Sequence, residues 1–237
     1  MTPSLTHAQI TALAGFGTSA VSNAIETFRV RMRNEGYIAN PIKRQIALPQ
    51  SMVGYALTVR MRTGSPPANG NRYAEGTDWW SSLASAPRPS VLVIEDVDET
   101  PGVGSVSGEI HGTIFRAFGV IGIVTNGAVR DIDALARMKM HAYARSLSPS
   151  HAYAHVIDVG TEIEIAGTAI RSGDLLHGDQ HGIVIVPTQI AADIPRVVED
   201  MVARERKIIS LCAQSHFDID ELRDLIAAFT HDDTKGS

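Results

Sequence analysis

The stretch GEIHGTIFRAFGVIGIVTNGAVRD, residues 108–131, decides the fold class. Glu109 opens an apolar segment with helical character, and the β-rich run at residues 120–125 predicts a strand after it. Asn-Gly at residues 126–127 predicts a turn at the end of that strand. A helix that leads into a β-rich strand in so short a span indicates an α/β protein.

Arg130 and Asp131 follow the predicted strand and place a cation beside a carboxylate. In open α/β sheets, ligands bind at the carboxyl ends of the strands, and a guanidinium fork pairs bidentately with a planar carboxylate. Glu109 adds a second acid 21 positions before Arg130. The stretch therefore predicts an active site for a small carboxylic acid, with Asp131 able to bind a metal. An N-cap role at the start of the next helix explains Asp131 as well.

The composition limits the class of protein. The chain has 237 residues, of which 44% are apolar, 5% are aromatic and 20 are glycine. These values fit an α/β protein rich in small aliphatic side chains, built as one large domain or two small ones. The formal net charge of −5 provides no basic field, so neither nucleic acid nor membrane is expected as a partner.

Cys212 is the only cysteine, which excludes an internal disulfide and favours a reducing, cytoplasmic compartment. We expect a buried, inert thiol there rather than a catalytic one. The opening residues lack the basic and apolar regions of a signal peptide, and no apolar run approaches the ~18 residues of a membrane span. The chain is therefore expected to be soluble and not exported.

On the amino-terminal side, periodicity and turn residues predict a helix at 18–30, a strand at 51–61, a loop at 63–75, a short helix from Trp79 and an apolar strand at 91–94. The unbroken apolar character of the last strand indicates burial on both faces. The loop contains two prolines and an Asn-Gly, and it is a candidate flap over a site. Trp79 and Trp80 are interpreted as packing residues.

On the carboxyl-terminal side, the same signals predict a helix at 132–144, two strands within 151–170, a strand pair within 171–187, and helices at 190–214 and 220–229. The polar tail at 231–237 is expected to be disordered. The predicted organisation is an N-terminal extension at 1–13, one domain at 14–214, and a C-terminal helix with its tail at 215–237.

Two polar clusters outside the main stretch allow a metal site. The first follows the strand at 91–94 and contains Glu95, Asp96, Asp98 and Glu99. We favour a solvated turn as the explanation of this cluster, although the glycine-rich segment after it is placed to face a ligand. The second contains His177, Asp179 and His181. The tip of a tight hairpin explains these residues without a ligand, and we favour that interpretation.

The stretch at 108–131, together with SGDLLHGDQHGIVIVP at 172–187, resembles the RraA-like family, which is named after the regulator of ribonuclease activity A. The resemblance extends through TSAVSNAIE, VGYALTV and VLVIEDV, and it covers residues from about 14 to 205. It implies a three-layer ββα swivelling-domain fold, a single domain with flanking helices, and assembly into a homotrimer or homohexamer.

The resemblance also implies a pyruvate-binding site with a divalent metal, Mg²⁺ or Mn²⁺. Arg130 matches the clamp on the pyruvyl carboxylate and keto oxygen, Asp131 matches the metal ligand, and Glu109 matches the acid of the motif. Ser107 and Gly108 supply backbone amides to the same carboxylate. The segment DETPGVGSVSG, residues 98–108, departs from the family pattern and leaves the substrate open.

Members of this family include class II aldolases that cleave 4-hydroxy-4-methyl-2-oxoglutarate or 4-carboxy-4-hydroxy-2-oxoadipate to pyruvate. The same enolate chemistry implies oxaloacetate decarboxylation as a side activity. Two alternatives stay open at this point. One is a regulator without enzymatic activity that binds a ribonuclease, and the other is a lyase that acts on a different hydroxy acid.

Glu205 is a candidate for the site of a neighbouring subunit, because the family completes its sites with a glutamate from an adjacent chain. Positions 194, 198, 201, 208 and 212 form an apolar stripe that Glu205 interrupts. Burial there without a partner would be unfavourable. Glu199 is the second choice, and pairing of Glu205 with a nearby basic residue (Arg204, Arg206 or Lys207) is the structural alternative.

Overall fold

The computed structural model describes residues 5–38, 40–68 and 79–234. Its helices are α1 His7–Ala14, α2 Thr18–Thr27, α3 Trp79–Ser85, α4 Glu109–Ala117, α5 Ile132–Arg137, α6 Ile194–Cys212 and α7 Ile219–Thr234. Its strands are β1 Tyr37–Ile38, β2 Lys43–Arg44, β3 Met52–Arg62, β4 Ser90–Asp96, β5 Ser105–Ser107, β6 Val120–Val129, β7 His141–Leu147, β8 His155–Val159, β9 Ile163–Ile165, β10 Thr168–Ile170, β11 Leu175–Asp179 and β12 Gly182–Val186.

Ten strands form one mixed sheet, whose main path is β1-β12-β11-β3-β4-β6-β7-β2. β5 pairs with β6, and β8 pairs with β3. The strands β3, β4, β6 and β7 are parallel to one another. Their carboxyl ends therefore meet at one edge of the sheet, which is where an α/β fold binds its ligands.

Alternate side chains of the central strands enter two different apolar cores. On β4, Leu92 and Ile94 pack with Phe115 and the other apolar residues of α3, α4 and α5. Val91 and Val93 point the other way and pack with the isoleucines of the β9-β10 hairpin. Hairpin, sheet and helices thus form three layers, and the α/β class predicted from the sequence is confirmed.

The amino-terminal helices belong to a third core, formed at the β3-β11-β12 end of the sheet. Ile10 and Leu13 of α1 and Val21 of α2 are buried there against Ile194 and Val198 of α6. Apolar spacing of four and three residues along α2 and α6 supplies these contacts. No helix within the described ranges has the length and apolar character needed to cross a membrane.

The elements predicted around residues 51–61, 79 and 91–94 are confirmed, but the segments around 126 and 138 are not as predicted. β6 continues through Asn126 to Val129 without a turn. At Asn126 the side-chain amide, and not the backbone, makes the hydrogen bonds to the neighbouring strand β4. Its Oδ1 accepts from Asp96 N at 2.7 Å and its Nδ2 donates to Asp96 O at 3.0 Å. The helix predicted at 132–144 ends at Arg137, since Lys139 has φ +54° and residues from His141 pair with β6.

Further differences concern turns and helix ends. The second strand predicted within 151–170 is a hairpin, β9-β10, whose turn contains Ala166 at φ +50°. Leu211 of α6 is buried, whereas Cys212 is exposed, so the predicted buried thiol is wrong. α7 extends to Thr234 and includes residues expected to be disordered. Most of the loop predicted at 63–75 lies outside the described residues, as do residues 235–237.

Candidate active site

Two strand-to-helix junctions meet at the carboxyl edge of the sheet. β5 ends at Ser107, and Gly108 is the extended N-cap residue of α4, which begins at Glu109. Arg130 and Asp131 connect β6 to α5. Because β5 and β6 are parallel neighbours, the two junctions lie side by side.

Hydrogen bonds join these junctions directly. Arg130 N donates to Ser107 O at 3.1 Å, and Glu109 N donates to Asp131 Oδ2 at 2.8 Å. Arg130 Nε lies 3.6 Å from the same carboxylate oxygen, and Arg130 Nη1 donates to Pro149 O at 3.2 Å. The guanidinium is thereby held between a carboxylate and a carbonyl.

Asp131 does not cap α5 with its side chain, which was the structural role that the sequence allowed. It occupies the N-cap position of α5 in the left-handed region, with φ +55°, but its side chain makes no capping hydrogen bond to α5. The carboxylate instead accepts the first N–H of α4. A non-glycine residue with positive φ stores strain, and such residues concentrate at functional sites.

Gly108 lets the two junctions approach closely. A Cβ atom built on Gly108 would collide with Asp131 Oδ2 and would lie 2.9 Å from Arg130 Nε. Gly108 has φ −145°, which other residues adopt freely. Glycine is therefore required here by space and not by backbone conformation.

A small cleft opens beside these residues, with a volume of about 50 Å³. Its lining includes Ser107, Gly108 and Arg130, together with His111 and His151. Ser107 is 2% exposed, and its Oγ has no hydrogen-bond partner among the described residues. An unpaired buried hydroxyl is unfavourable unless a ligand or water satisfies it, so the Ser107 hydroxyl and the Arg130 guanidinium offer donors to a small anion in this cleft.

Comparisons with known proteins show the family of this chain. A model of the RraA-like family, described as Aldolase/RraA, matches residues 18–185. The chain belongs to this family. The resemblance stated from the sequence is therefore confirmed.

Relatives of this RraA-like chain are distant in sequence. An uncharacterised protein of Methanocaldococcus jannaschii is 24% identical over 134 residues, which are 55% of this chain and 64% of that protein. The match thus spans less than two thirds of the archaeal protein. A protein of Xanthomonas campestris pv. campestris, provisionally named a 4-hydroxy-4-methyl-2-oxoglutarate aldolase, is 28% identical over 140 residues, 57% of this chain and 81% of that protein.

Solved structures share the fold. An uncharacterised protein from Pseudomonas syringae pv. tomato has a TM-score of 0.70 at 22% identity, over 94% of this chain and 96% of that one. Streptomyces coelicolor RraAS2, described as an unusual member of the RNase ES inhibitor RraA protein family, has a TM-score of 0.66 at 19% identity, over 86% and 96%. At these identities the likeness shows the RraA-like fold, in a single domain.

Two histidines of the RraA-like cleft were not identified from the sequence. His151 Nδ1 donates to Ala152 O at 2.7 Å, which in the neutral ring leaves Nε2 as an acceptor. The His111 ring stacks on Phe115 with a centroid distance of 5.8 Å. His111 stands in the stretch at 108–131 but was not singled out there, and His151 stands outside every motif that the sequence analysis identified.

The acidic cluster at the end of β4 makes structural hydrogen bonds, but it is not the solvated turn predicted, because Glu95 and Asp96 belong to β4 and Asp96 is buried. Asp98 accepts from Thr63 N at 2.7 Å and from Gly64 N at 2.6 Å. Asp96 is 1% exposed and accepts from Gly102 N at 2.8 Å and from the Thr63 hydroxyl at 3.0 Å. Burial raises the pKa of the Asp96 carboxyl, against the effect of these hydrogen bonds. The cluster fixes the glycine-rich segment that leads into β5.

The histidines near residue 179 are also structural. His177 is fully buried, its Nδ1 lies 3.0 Å from the Thr18 hydroxyl and its Nε2 lies 3.1 Å from Leu13 O. Asp179 accepts from Thr18 N at 2.8 Å and from His181 N at 2.8 Å. These hydrogen bonds attach α1 and α2 to the β11-β12 hairpin, and both His177 nitrogens are occupied by protein atoms.

The predicted partner residue Glu205 does not line the cleft of its own chain. It lies on α6, which packs on α2 and α1. Glu205 is half-buried and Glu199 is exposed. Among residues whose side chains the structure describes, Glu205 has no ion pair, so the alternative of pairing with Arg204, Arg206 or Lys207 is not found.

Proposed function

We propose that this RraA-like chain is a class II aldolase that cleaves a 4-hydroxy-2-oxo acid to pyruvate. The observation that carries the proposal is the convergence of the Arg130 guanidinium, the Asp131 carboxylate and the unpaired Ser107 hydroxyl at and beside one small cleft. The proposed substrates are 4-hydroxy-4-methyl-2-oxoglutarate and 4-carboxy-4-hydroxy-2-oxoadipate. A relative at 28% identity carries a provisional name for an aldolase of the first compound.

Arg130 is the proposed clamp for the substrate carboxylate. Its Nε faces Asp131 and its Nη1 donates to Pro149 O, whereas Nη2 has no partner among the described residues. A guanidinium held in this way binds a carboxylate with little loss of side-chain entropy. The Ser107 hydroxyl and the free N–H groups of the first turn of α4 add donors for the same carboxylate.

The residues present fit a divalent metal such as Mg²⁺ or Mn²⁺. Within the described ranges, no group of three or more His, Cys, Asp or Glu side chains is placed to hold a metal. Mg²⁺ does not require one, because it keeps several waters and binds through one or two carboxylates together with substrate oxygens. Asp131 would hold it through Oδ1, since Oδ2 is occupied by Glu109 N. Such an ion, when bound, supplies Lewis acidity at the keto group of the substrate.

The chain's own residues then account for bond cleavage. Removal of the proton from the C4 hydroxyl allows the C3–C4 bond to break, and its electron pair forms the enolate of pyruvate. The fixed positive charge of Arg130 lies beside the developing negative charge and stabilises it. Loss of CO₂ from oxaloacetate leaves the same enolate, so oxaloacetate decarboxylation is the proposed side activity.

Glu109 is the proposed residue for proton transfer. Its backbone N–H is fixed by Asp131, and its side chain is exposed at the start of α4. Among the described residues, the ion pair of Arg130 is with Asp131 and not with Glu109. Glu109 is therefore available at the same corner as the guanidinium.

We also propose that the site lies between subunits of a homotrimer or homohexamer. Exposed apolar side chains lie on the segments that surround the cleft, among them Ile110 at 77% exposure and Leu147 at 57%. A second group lies on α6 and α7, including Ile209 at 64% and Ile219 at 58%. Large exposed apolar side chains concentrated in patches are typical of contact surfaces, and burial of these two groups against each other would bring Glu205 of α6 toward a neighbouring cleft.

A pyruvate-release assay coupled to lactate dehydrogenase tests the proposal. The substrates are 4-hydroxy-4-methyl-2-oxoglutarate and oxaloacetate, each with and without Mg²⁺ or Mn²⁺. We expect metal-dependent pyruvate release from both. Absence of release under every condition would reject the enzyme and favour the alternative, a regulator that binds a ribonuclease. Release from a different hydroxy acid alone would keep the lyase and change its substrate.

A further inference from the structure

A groove of about 1020 Å³ lies at the edge of the sheet opposite the Arg130 cleft. Residues that immediately precede three parallel strands line it, namely Ser51 before β3, Pro89 before β4 and Gly119 before β6. β6 has ten residues and rises about 3.3 Å per residue, so the groove and Arg130 are roughly 30 Å apart. The two cavities are therefore separate.

The charges along the groove all have one sign. Arg88, Arg116 and Lys139 line it, and its lining contains no aspartate or glutamate. Among the residues that the structure describes, none of these three cations forms an ion pair. In a chain with a formal net charge of −5, three unpaired cations around one groove produce a local positive field that attracts anions.

A buried imidazole adds a polar group to this lining. His141 is 7% exposed, and its Nδ1 has no hydrogen-bond partner among the described residues. Burial, followed by the charge of Arg44, lowers the pKa of His141 to about 4, so the ring is neutral near pH 7. A neutral imidazole offers one donor and one acceptor, and leaving such a group unpaired and buried is unfavourable.

The remaining wall is apolar. Ile10, Val53 and Ile121 line the groove, together with Leu48 and the prolines at 49 and 89. Ligand pockets in proteins are concave, of about 300–1,000 Å³, mostly apolar, and carry a few polar groups that orient the ligand. This groove is at the upper end of that size range and has that composition.

We propose that this groove binds an organic polyanion, a small molecule with an apolar body and at least two negative charges on phosphate or carboxylate groups. The guanidinium groups of Arg88 and Arg116 pair with such oxyanions bidentately, and Lys139 adds a point charge. The apolar walls cover the body of the molecule. This site does not depend on the proposed aldolase activity.

Isothermal titration calorimetry of the full chain tests the site, with ADP, inorganic pyrophosphate and citrate as probes. We expect at least one probe to bind, with affinity that falls as salt is added. Preference for ADP or pyrophosphate would identify a phosphate ligand, and preference for citrate a polycarboxylate. Arg116→Gln and the double variant Arg88→Gln/Lys139→Gln should each weaken binding at least tenfold. Arg206→Gln, a charge removed from the exposed surface of α6, should leave binding unchanged.

Three results would overturn the proposal. The first is no binding of any probe to the parent chain at millimolar concentration. The second is binding that survives in the triple variant Arg88→Gln/Arg116→Gln/Lys139→Gln, verified as folded by circular dichroism, or binding that is lost in Arg130→Lys. Either result places the probes elsewhere. The third is an altered oligomeric mass of Arg116→Glu without probe binding to the parent, which would assign the groove to a contact between copies of the chain.

Discussion

Asp131 Oδ2 accepts a hydrogen bond of 2.8 Å from the backbone N–H of Glu109, although the two residues are 22 positions apart in the chain. This bond holds the start of α4 against the Arg-Asp pair, through a backbone N–H and not through the Glu109 side chain. α4 and β6 fill the interval between them and return the chain to the same edge of the sheet. One carboxylate therefore stabilises the start of a helix and, in our proposal, holds the metal.

The first prediction concerns this double role. Asp131→Ala should abolish pyruvate release, and so should EDTA applied to the parent chain. Asp131→Ala also removes the acceptor for Glu109 N, so we expect the free energy of unfolding to fall by about 1 kcal/mol, as for loss of a helix cap. Coupled-assay kinetics and urea denaturation measure the two effects separately.

Asp133→Ala is the matched control for that variant. Asp133 is an exposed acid in the first turn of α5, two positions away, and its removal should change neither quantity appreciably. Full activity of Asp131→Ala, or activity that EDTA does not reduce, would exclude the class II mechanism.

The second prediction concerns the guanidinium fork. Arg130→Lys keeps the positive charge but loses the geometry that pairs with Asp131, Pro149 and a carboxylate at once. We expect kcat/KM to fall on the order of 10²-fold or more, about 3 kcal/mol of transition-state stabilisation. Arg137→Lys, in the last turn of α5, is the control. A loss below threefold would make Arg130 structural.

The third prediction uses the space that Gly108 leaves. In Gly108→Ala the added methyl would run into Asp131 Oδ2, so the carboxylate and the guanidinium must both move. A displacement of about 1 Å at a catalytic group is worth on the order of 10²-fold in rate, and we expect kcat to fall accordingly. In Gly17→Ala the methyl meets Asp179 Oδ2 at 3.4 Å, an ordinary contact. Equal activity of the two variants would contradict the geometry.

The sequence identified which residues meet at the candidate site, but it did not predict the hydrogen bonds and strand pairing that hold them there. The position of Arg130 and Asp131 after a β-rich run located the corner, because strand ends in a parallel sheet collect at one edge. The Asn126 turn was wrong because Asn-Gly is a local signal, and here the Asn126 side chain bonds to Asp96 of the neighbouring strand. A contact over 30 positions is invisible to local propensity.

The same limit explains other differences. The run after Arg137 contains good helix formers and was predicted as helix, but pairing with β6 decides its conformation. Ser107 was predicted as a source of a backbone amide. Its orphaned hydroxyl appears only once β5 is buried beside β6. The absence of nucleic acid as a partner, expected from charge alone, stays a prediction.

The fourth prediction concerns stability and pH. The pKa of His141 is lowered to about 4 in the folded chain, by burial and then by Arg44, whereas an unfolded histidine titrates near 6.5. Between these values the unfolded chain binds a proton that the folded chain does not. The free energy of unfolding should therefore fall as the pH is lowered from about 6.5 to about 4, by at most about 1.4 kcal/mol per pH unit from this group.

His141→Gln should reduce that dependence without removing it, because the pKa of the buried His177 is also lowered, mainly by burial. His7→Gln, an exposed residue of α1, should leave the dependence unchanged. Urea denaturation at several pH values measures the slope. An identical slope for the parent chain and His141→Gln would show that His141 is not protonated on unfolding.

The fifth prediction concerns the subunit interface. Glu205 is half-buried on α6 and has no ion pair among the described side chains. We expect it to serve the cleft of a neighbouring chain, so Glu205→Ala should be inactive although the Arg130 corner of the same chain is intact. Glu199→Ala, at an exposed acid on the same helix, tests the second candidate and should keep full activity if Glu205 is the residue that serves the neighbouring cleft.

Complementation between two inactive variants decides whether the site is shared. Asp131→Ala chains and Glu205→Ala chains are dissociated, mixed and reassembled, and mixed oligomers are confirmed by native mass spectrometry. At some interfaces an intact Asp131 of one chain then meets an intact Glu205 of the next, so activity should reappear. Because neither variant alone contains such an interface, recovery has no other source than a shared site. No recovery in confirmed mixed oligomers, or full activity of Glu205→Ala by itself, would remove Glu205 from the site.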